Sequence, residues 1–307
     1  MTESLSVSHG RHVLTMERHF DHPVEKVWRA ITEPAELGYW FPGQVEADLK
    51  EGGAMRFFGD RNAPSMEGTI VAYDPPRVFA YTWGDSTLRF ELESDDAARG
   101  PGCRMRFTQT FDEGVYAASA AAGWTLCFAN LSRGLDGEPV DRDIAPWAAL
   151  HDAFVDRFGL DAGAIEQQPD GTWTVVFARQ MTKPAAEVWA VLTGGEAPVV
   201  GGPVPAGFTA GAGAASGCGT GGAGTAGAGG IVLVAEPPHV LQFRAGDSAG
   251  DSAGDSAGNG AGQVRWELGP GNGGATLRLT HVVAGGDPSQ LLAAWHDRLD
   301  ELAKSLR

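Results

Sequence analysis

Polar and apolar residues alternate in recognisable blocks along this chain. The run VLTMERHF (13–20) has strand character up to the Asp-His-Pro break at 21–23. There the period changes: Pro23 opens a segment in which Val24, Val27, Trp28 and Ile31 share one helical face. Four later runs return to a period of two, AMRFFG from 54, VFAYTWG from 78, LRFELES from 88 and CRMRFTQTF from 103. One face of this predicted antiparallel meander carries Met55, Phe57, Phe79, Tyr81, Trp83, Leu88, Phe90, Leu92, Cys103, Met105 and Phe107. Its other face carries Arg89, Glu91, Glu93, Arg104 and Arg106, whose alternating signs suit cross-strand pairing in water. Helical spacing resumes with Trp124, Phe128, Leu131 and Leu135, an apolar stripe that must lie on the sheet. A further helix is expected from 146, with Trp147, Leu150, Phe154 and Phe158 on one face and Gly159 as its stop.

The same order of blocks then recurs. VLTMERHFDHPVEKVWRAIT from Val13 aligns without gaps on TVVFARQMTKPAAEVWAVLT from Thr174, pairing Pro23 with Pro184 and Trp28 with Trp189. The two Pro-Pro pairs, Pro75-Pro76 and Pro237-Pro238, follow in register after an isoleucine-led run. LRFEL from 88 then matches VRWEL from 264, MRFTQT from 105 matches LRLTHV from 277, and Trp124 superposes on Trp295. Five ordered blocks make an internal duplication. The sequence therefore divides into a domain at 1–160, a linker at 161–171 and a second domain at 172–307. Each half reads as strand, short helix, several strands and long helix, an α+β pattern.

Composition adds limits to this picture. Net charge is −16, so the basic footprint that phosphate contacts require is missing, and nucleic acid is excluded as a partner. No run of about 20 apolar residues exists to insert into a membrane. Three cysteines without a pairing pattern and an opening stretch without an apolar core lead us to expect a cytoplasmic protein. The 44 glycines concentrate in two tracts, 201–230 and 245–262, which read as flexible loops inserted in the second domain.

The run ITEPAELGYWFPG, then EGGAMRF, then EGTIVAYDPPRVFAYTW, and last the helix led by Gly123-Trp124, resembles the activator-of-heat-shock-ATPase-homologue branch of the START/Bet v 1-like (SRPBCC) superfamily. The resemblance covers nearly all of residues 10–135 and includes the Trp40-Phe41 and Gly52-Gly53 pairs. It implies helix-grip domains, in which a curved antiparallel sheet wraps a long C-terminal helix around a cavity. Members of the superfamily are reported to bind lipids, sterols and polyketides, and some are cyclases. The second half lacks the Trp-Phe pair and is read as a degenerate copy.

Several motifs match chemistry they do not carry. Gly219, Gly221 and Gly224 have dinucleotide spacing, but no strand precedes them and no helix follows to hold a pyrophosphate. Gly246-Asp247-Ser248-Ala249-Gly250 has the spacing of a nucleophile elbow, yet it repeats in register, and an elbow is a single strained turn. Four histidines near the N-terminus lack the converging ligand set of a metal site, and neither metal nor cofactor is expected.

The informative set is aromatic. Trp40, Phe41, Phe57, Phe79, Tyr81, Trp83, Phe90, Phe107, Trp124 and Phe128 fall mostly at inward positions, as either a filled core or the lining of a pocket for a small apolar, lipid- or polyketide-like molecule. A non-catalytic binding module is the reading adopted. A polyketide cyclase or aromatase would need a convergent polar cluster drawn from Tyr81, Glu67, Asp85 and Gln109. A protein-binding role, such as contact with a chaperone, is what the family's chaperone-activating relatives imply.

Overall fold

The alternation seen at 13–20 starts two residues earlier, in β2 (Arg11–Phe20), which buries Leu14, Met16 and Phe20 on one face. The strands that follow are β3 (Gln44–Ala47), β4 (Ala54–Phe58), β5 (Met66–Asp74), β6 (Val78–Trp83), β7 (Ser86–Asp95) and β8 (Gly102–Phe111). An additional strand, β1 (Thr2–Ser8), pairs with the free side of β2. Together they make one antiparallel sheet in the order β1-β2-β8-β7-β6-β5-β4-β3. This computed structural model describes residues 2–41, 43–58, 65–95, 102–210, 230–245, 262–271, 273–285 and 287–307. Two units divide the chain, Met1–Phe158 and Gly159–Arg307.

Register explains the two faces of the first sheet. Phe79 lies opposite Phe90 and Phe90 opposite Phe107, so the rings form a row across β6, β7 and β8. On the reverse face Glu91 lies opposite Arg106 and Glu93 opposite Arg104, and both pairs form ion pairs, in line with their alternating charges. These pairs are largely exposed and add little stability, about 0–1 kcal/mol each. The ring row dominates, because each fully buried Phe contributes roughly 1.5–3 kcal/mol.

Helix α1 (Val24–Thr32) follows Pro23, and α2 (Pro34–Trp40) buries only Leu37 and Trp40. The long helix α3 (Ala117–Asp136) buries Trp124, Phe128, Leu131 and Leu135, the stripe read from the sequence. Its first two turns bury only alanines and Ser119. It stops at Gly137, whose φ of 75° is the left-handed cap that glycine adopts without strain. In α4 (Trp147–Phe158) the buried face differs from expectation. His151, Phe154 and Val155 are the buried residues, while Trp147, Leu150 and Phe158 are half-buried. Trp147 instead stacks on the His151 ring at 5.3 Å.

The second unit contains β9 (Ala164–Gln167), β10 (Trp173–Met181), α5 (Ala185–Thr193), β11 (Ile231–Glu236), β12 (Val240–Arg244), β13 (Gln263–Gly271), β14 (Gly274–Val283) and α6 (Pro288–Ser305). Sheet order is β11-β12-β13-β14-β10-β9, which is the order of β5-β6-β7-β8-β2-β1 in the first unit. Residues 164–167, inside the segment assigned to a linker, form β9 and pair with β10 as β1 pairs with β2. Asp287 caps α6 by accepting from the Ser289 backbone N–H at 2.9 Å, and Pro288 occupies the first turn. Most of both glycine tracts, with their dinucleotide-like and elbow-like motifs and Cys218, lies outside the described residues.

Candidate functional site: an aromatic interior in the first unit

The ten aromatic residues singled out by the sequence come together between the sheet and α3. Phe107 lies 4.6 Å from Trp124 and 5.0 Å from Phe90, centroid to centroid. Phe79 meets Tyr81 at 5.1 Å, Tyr81 meets Phe57 at 5.7 Å, and Phe57 meets Phe41 at 5.9 Å. Trp40 bridges Phe41 at 5.8 Å to Phe128 at 6.1 Å, and Trp83 lies 5.9 Å from Trp124. All these spacings fall in the range where offset and edge-to-face ring pairs are favourable. The rings are thus one connected assembly, and nine of them are buried.

Trp83 is the exception, half-buried at the end of β6. A two-residue turn, Gly84-Asp85, returns the chain to Ser86, which pairs with Trp83 across the hairpin. Gly84 has φ of 56°, a conformation that side chains resist in such a turn. The tight return places the Trp83 ring against Phe41 at 5.6 Å and Phe57 at 6.1 Å, at the margin of the assembly.

Polar atoms within this interior fall into two groups. The Trp124 indole donates to Gln109 Oε1 at 2.7 Å, Gln109 Nε2 donates to Ser86 Oγ at 3.2 Å, and the Trp40 indole donates to the Ala30 carbonyl at 2.8 Å. By contrast Trp83 Nε1, Ser119 Oγ and Arg18 Nη2 are buried without a hydrogen-bond partner among the described residues. Each such group costs about 1–3 kcal/mol relative to a satisfied one. Burial, with a smaller contribution from Cys127, raises the Tyr81 phenol well above its ordinary value, so it stays a neutral hydroxyl. Burial also pushes Cys127 up to about 12, which leaves a thiol and not a nucleophilic thiolate.

The residues that a cyclase would need are not gathered. Glu67 is exposed on β5 and faces Arg56 at 3.9 Å. Asp85 is exposed in the hairpin turn. Tyr81 and Gln109 alone remain inside, and Gln109 is already committed to Trp124 and Ser86.

One interior residue was not anticipated. Arg18 occupies an inward position of β2, is 6% exposed, and sits with its guanidinium 5.6 Å from the Phe128 ring centroid. Glu3 of β1 holds it at 2.9 Å and also binds Arg157 of α4 at 2.6 Å. Burial lowers the Arg18 pKa, and Glu3 opposes that effect. The signal was present in the repeat: Arg18 aligns with Arg179, which is also buried, at 4% exposure.

Residues 21–136 match the family described as Activator of Hsp90 ATPase homolog 1-like protein. The match lies wholly within the first unit. Within the matched residues lie all ten aromatic residues and the α1–α3 frame that supports them. Among solved structures, CalU16 from Micromonospora echinospora is 20% identical, covering 50% of this chain and 94% of its own, with a TM-score of 0.42. A conserved protein of unknown function from Enterococcus faecalis is 18% identical, covering 50% and 89%, at 0.43. A protein from Bordetella parapertussis is 22% identical, covering 48% and 86%, at 0.39. No curated protein matches the chain.

Proposed function

We propose that the first unit binds one small, mostly apolar molecule in its aromatic interior, without catalysing a reaction on it. The observation that carries this reading is Trp83 Nε1, a buried donor with no partner among the described residues, on a half-buried ring that touches Phe41, Phe57 and Trp124. An acceptor supplied by a ligand removes the cost of that orphan donor, and the surrounding rings supply apolar contact. Such a ligand carries a carbonyl or ether oxygen at one end of a flat hydrocarbon body. Glu67 and Asp85, the acids a cyclase would draw on, are exposed outside this interior, which is why binding is preferred to catalysis.

The second unit is read as a copy that kept the scaffold and filled its interior. Trp266 aligns with Phe90 and donates its indole N–H to the Phe208 carbonyl at 3.1 Å. Phe208 in turn packs on Trp189 at 5.3 Å and Trp266 at 5.4 Å. The position of Trp83 is taken by Ala245.

Prodan, a neutral naphthalene ketone whose emission shifts to the blue in apolar surroundings, is a suitable probe. Titrated into the whole chain, it should show saturable binding with a blue shift. The Trp83→Phe variant, which keeps an aromatic ring of smaller size and removes the donor, should bind it about fivefold to tenfold more weakly. A wild-type protein that gives no saturable shift overturns the proposal.

A further inference from the structure

A separate cavity of about 200 Å³ opens on the helical side of the first unit, where α1, α2 and the C-terminal half of α3 meet. Its apolar wall is Trp40, Leu131 and Leu135, and its rim carries Lys26 and Arg29. We infer that this cavity is a second binding site, for a one- or two-ring aromatic or alicyclic molecule bearing a single carboxylate. The inference does not depend on the reading of the sheet-side interior.

Size sets the body of the ligand. The cavity falls below the roughly 300–1,000 Å³ of sites that take drug-sized molecules, so it accommodates one or two fused rings. The Trp40 ring is a fixed end wall of the cavity, because it is only 4% exposed, its indole N–H is held by the Ala30 carbonyl at 2.8 Å and it packs against Phe128 at 6.1 Å.

The rim sets the charge. Arg29 is mostly exposed and only loosely paired, its Nε lying 3.8 Å from Glu36. A pair of that kind is weak, so a ligand carboxylate can displace Glu36 and take the guanidinium in a forked, two-bond contact. Lys26 adds positive charge but is more committed, donating to the Leu135 carbonyl and lying 3.3 Å from His22 Nδ1. Two cations against Glu36 alone select an anion over a cation.

Gly134 is the third observation. It lines the cavity from the interior of α3, where glycine weakens a helix, and a Cβ built on it meets nothing within 4 Å. The glycine therefore leaves the space open, and no close packing at that position requires it.

The test uses the whole chain and 2-naphthoate, followed by calorimetry, with neutral 2-naphthamide as the control. Wild type should bind naphthoate saturably, and the part of the binding that Gly134→Leu removes should be weaker for the amide than for naphthoate. Gly134→Leu fills the cavity with a better helix former, so its melting temperature should not fall while naphthoate affinity drops at least about tenfold. Arg29→Gln should erase the preference for naphthoate over naphthamide. Absence of saturable naphthoate binding, or binding that Gly134→Leu leaves intact, overturns the inference.

Discussion

The Trp124 indole donates its N–H to Gln109 at 2.7 Å, and in the second unit the aligned Trp295 donates to His281 Nδ1 at 2.9 Å. Both contacts fasten the long helix to the same position of the same strand. The polar partner differs between the copies, but an acceptor is present in each. Gln109→Leu leaves the Trp124 donor buried and unsatisfied, so it should destabilise the first unit by about 1–3 kcal/mol in urea unfolding. Replacing His281 with Gln keeps an acceptor and should cost less than about 1 kcal/mol.

The same histidine gives the second unit a pH dependence. Burial lowers its pKa from 6.5 to about 4. In the unfolded chain it takes up a proton below about pH 6.5, but in the folded unit only near pH 4, so protons favour the unfolded state between those values. Stability is therefore full above pH 6.5 and is lost as pH falls, at up to about 1.4 kcal/mol per pH unit. Urea melts at pH 7 and pH 4.5 should show a larger loss for wild type than for His281→Gln. Equal losses would show that His281 does not titrate in this window.

The Glu3, Arg18 and Arg157 contacts make the N-terminal strand a structural necessity. Glu3 and Arg18 side chains are each 8% exposed, so removing one leaves a buried charge uncompensated. Glu3→Gln should destabilise the first unit by about 3–5 kcal/mol, less any relief from water reaching the exposed Arg157. Combining it with Arg18→Met should recover much of that loss, because two apolar or neutral groups need no pairing. Chemical denaturation of the two variants provides the comparison.

Cys103 and Cys127 are each held near 12, by burial first. Neither forms appreciable thiolate at pH 8, so a disulfide reagent such as DTNB should reach at most one of the three cysteines in the native protein. All three should react in guanidinium.

The ring-bearing strands and α3 were legible because large apolar residues recurring every second position, or every 3.6, are what a strand or helix with one buried face requires. Strand β1 was not legible: its alternation rests on Leu5 and Val7 alone, and its buried anchor is Glu3, a residue that reads as surface. The linker at 161–171 hid β9 in the same way, since Ile165 is its one large apolar side chain. In α4 the stripe misplaced the buried face because His151, a polar residue, sits at its centre. The ten aromatic residues lie together, as their inward positions in the pattern imply. The orphan donor of Trp83 was not legible, because hydrogen-bond satisfaction depends on where a side chain ends and not on its place in a pattern.

Native mass spectrometry of the whole chain with added Prodan, followed by the same measurement on Trp83→Phe, addresses the binding proposal directly. One probe molecule per chain at saturation, with occupancy reduced in the variant at equal concentration, is the predicted result. No bound probe in wild type, or one molecule bound equally by both proteins, would contradict it.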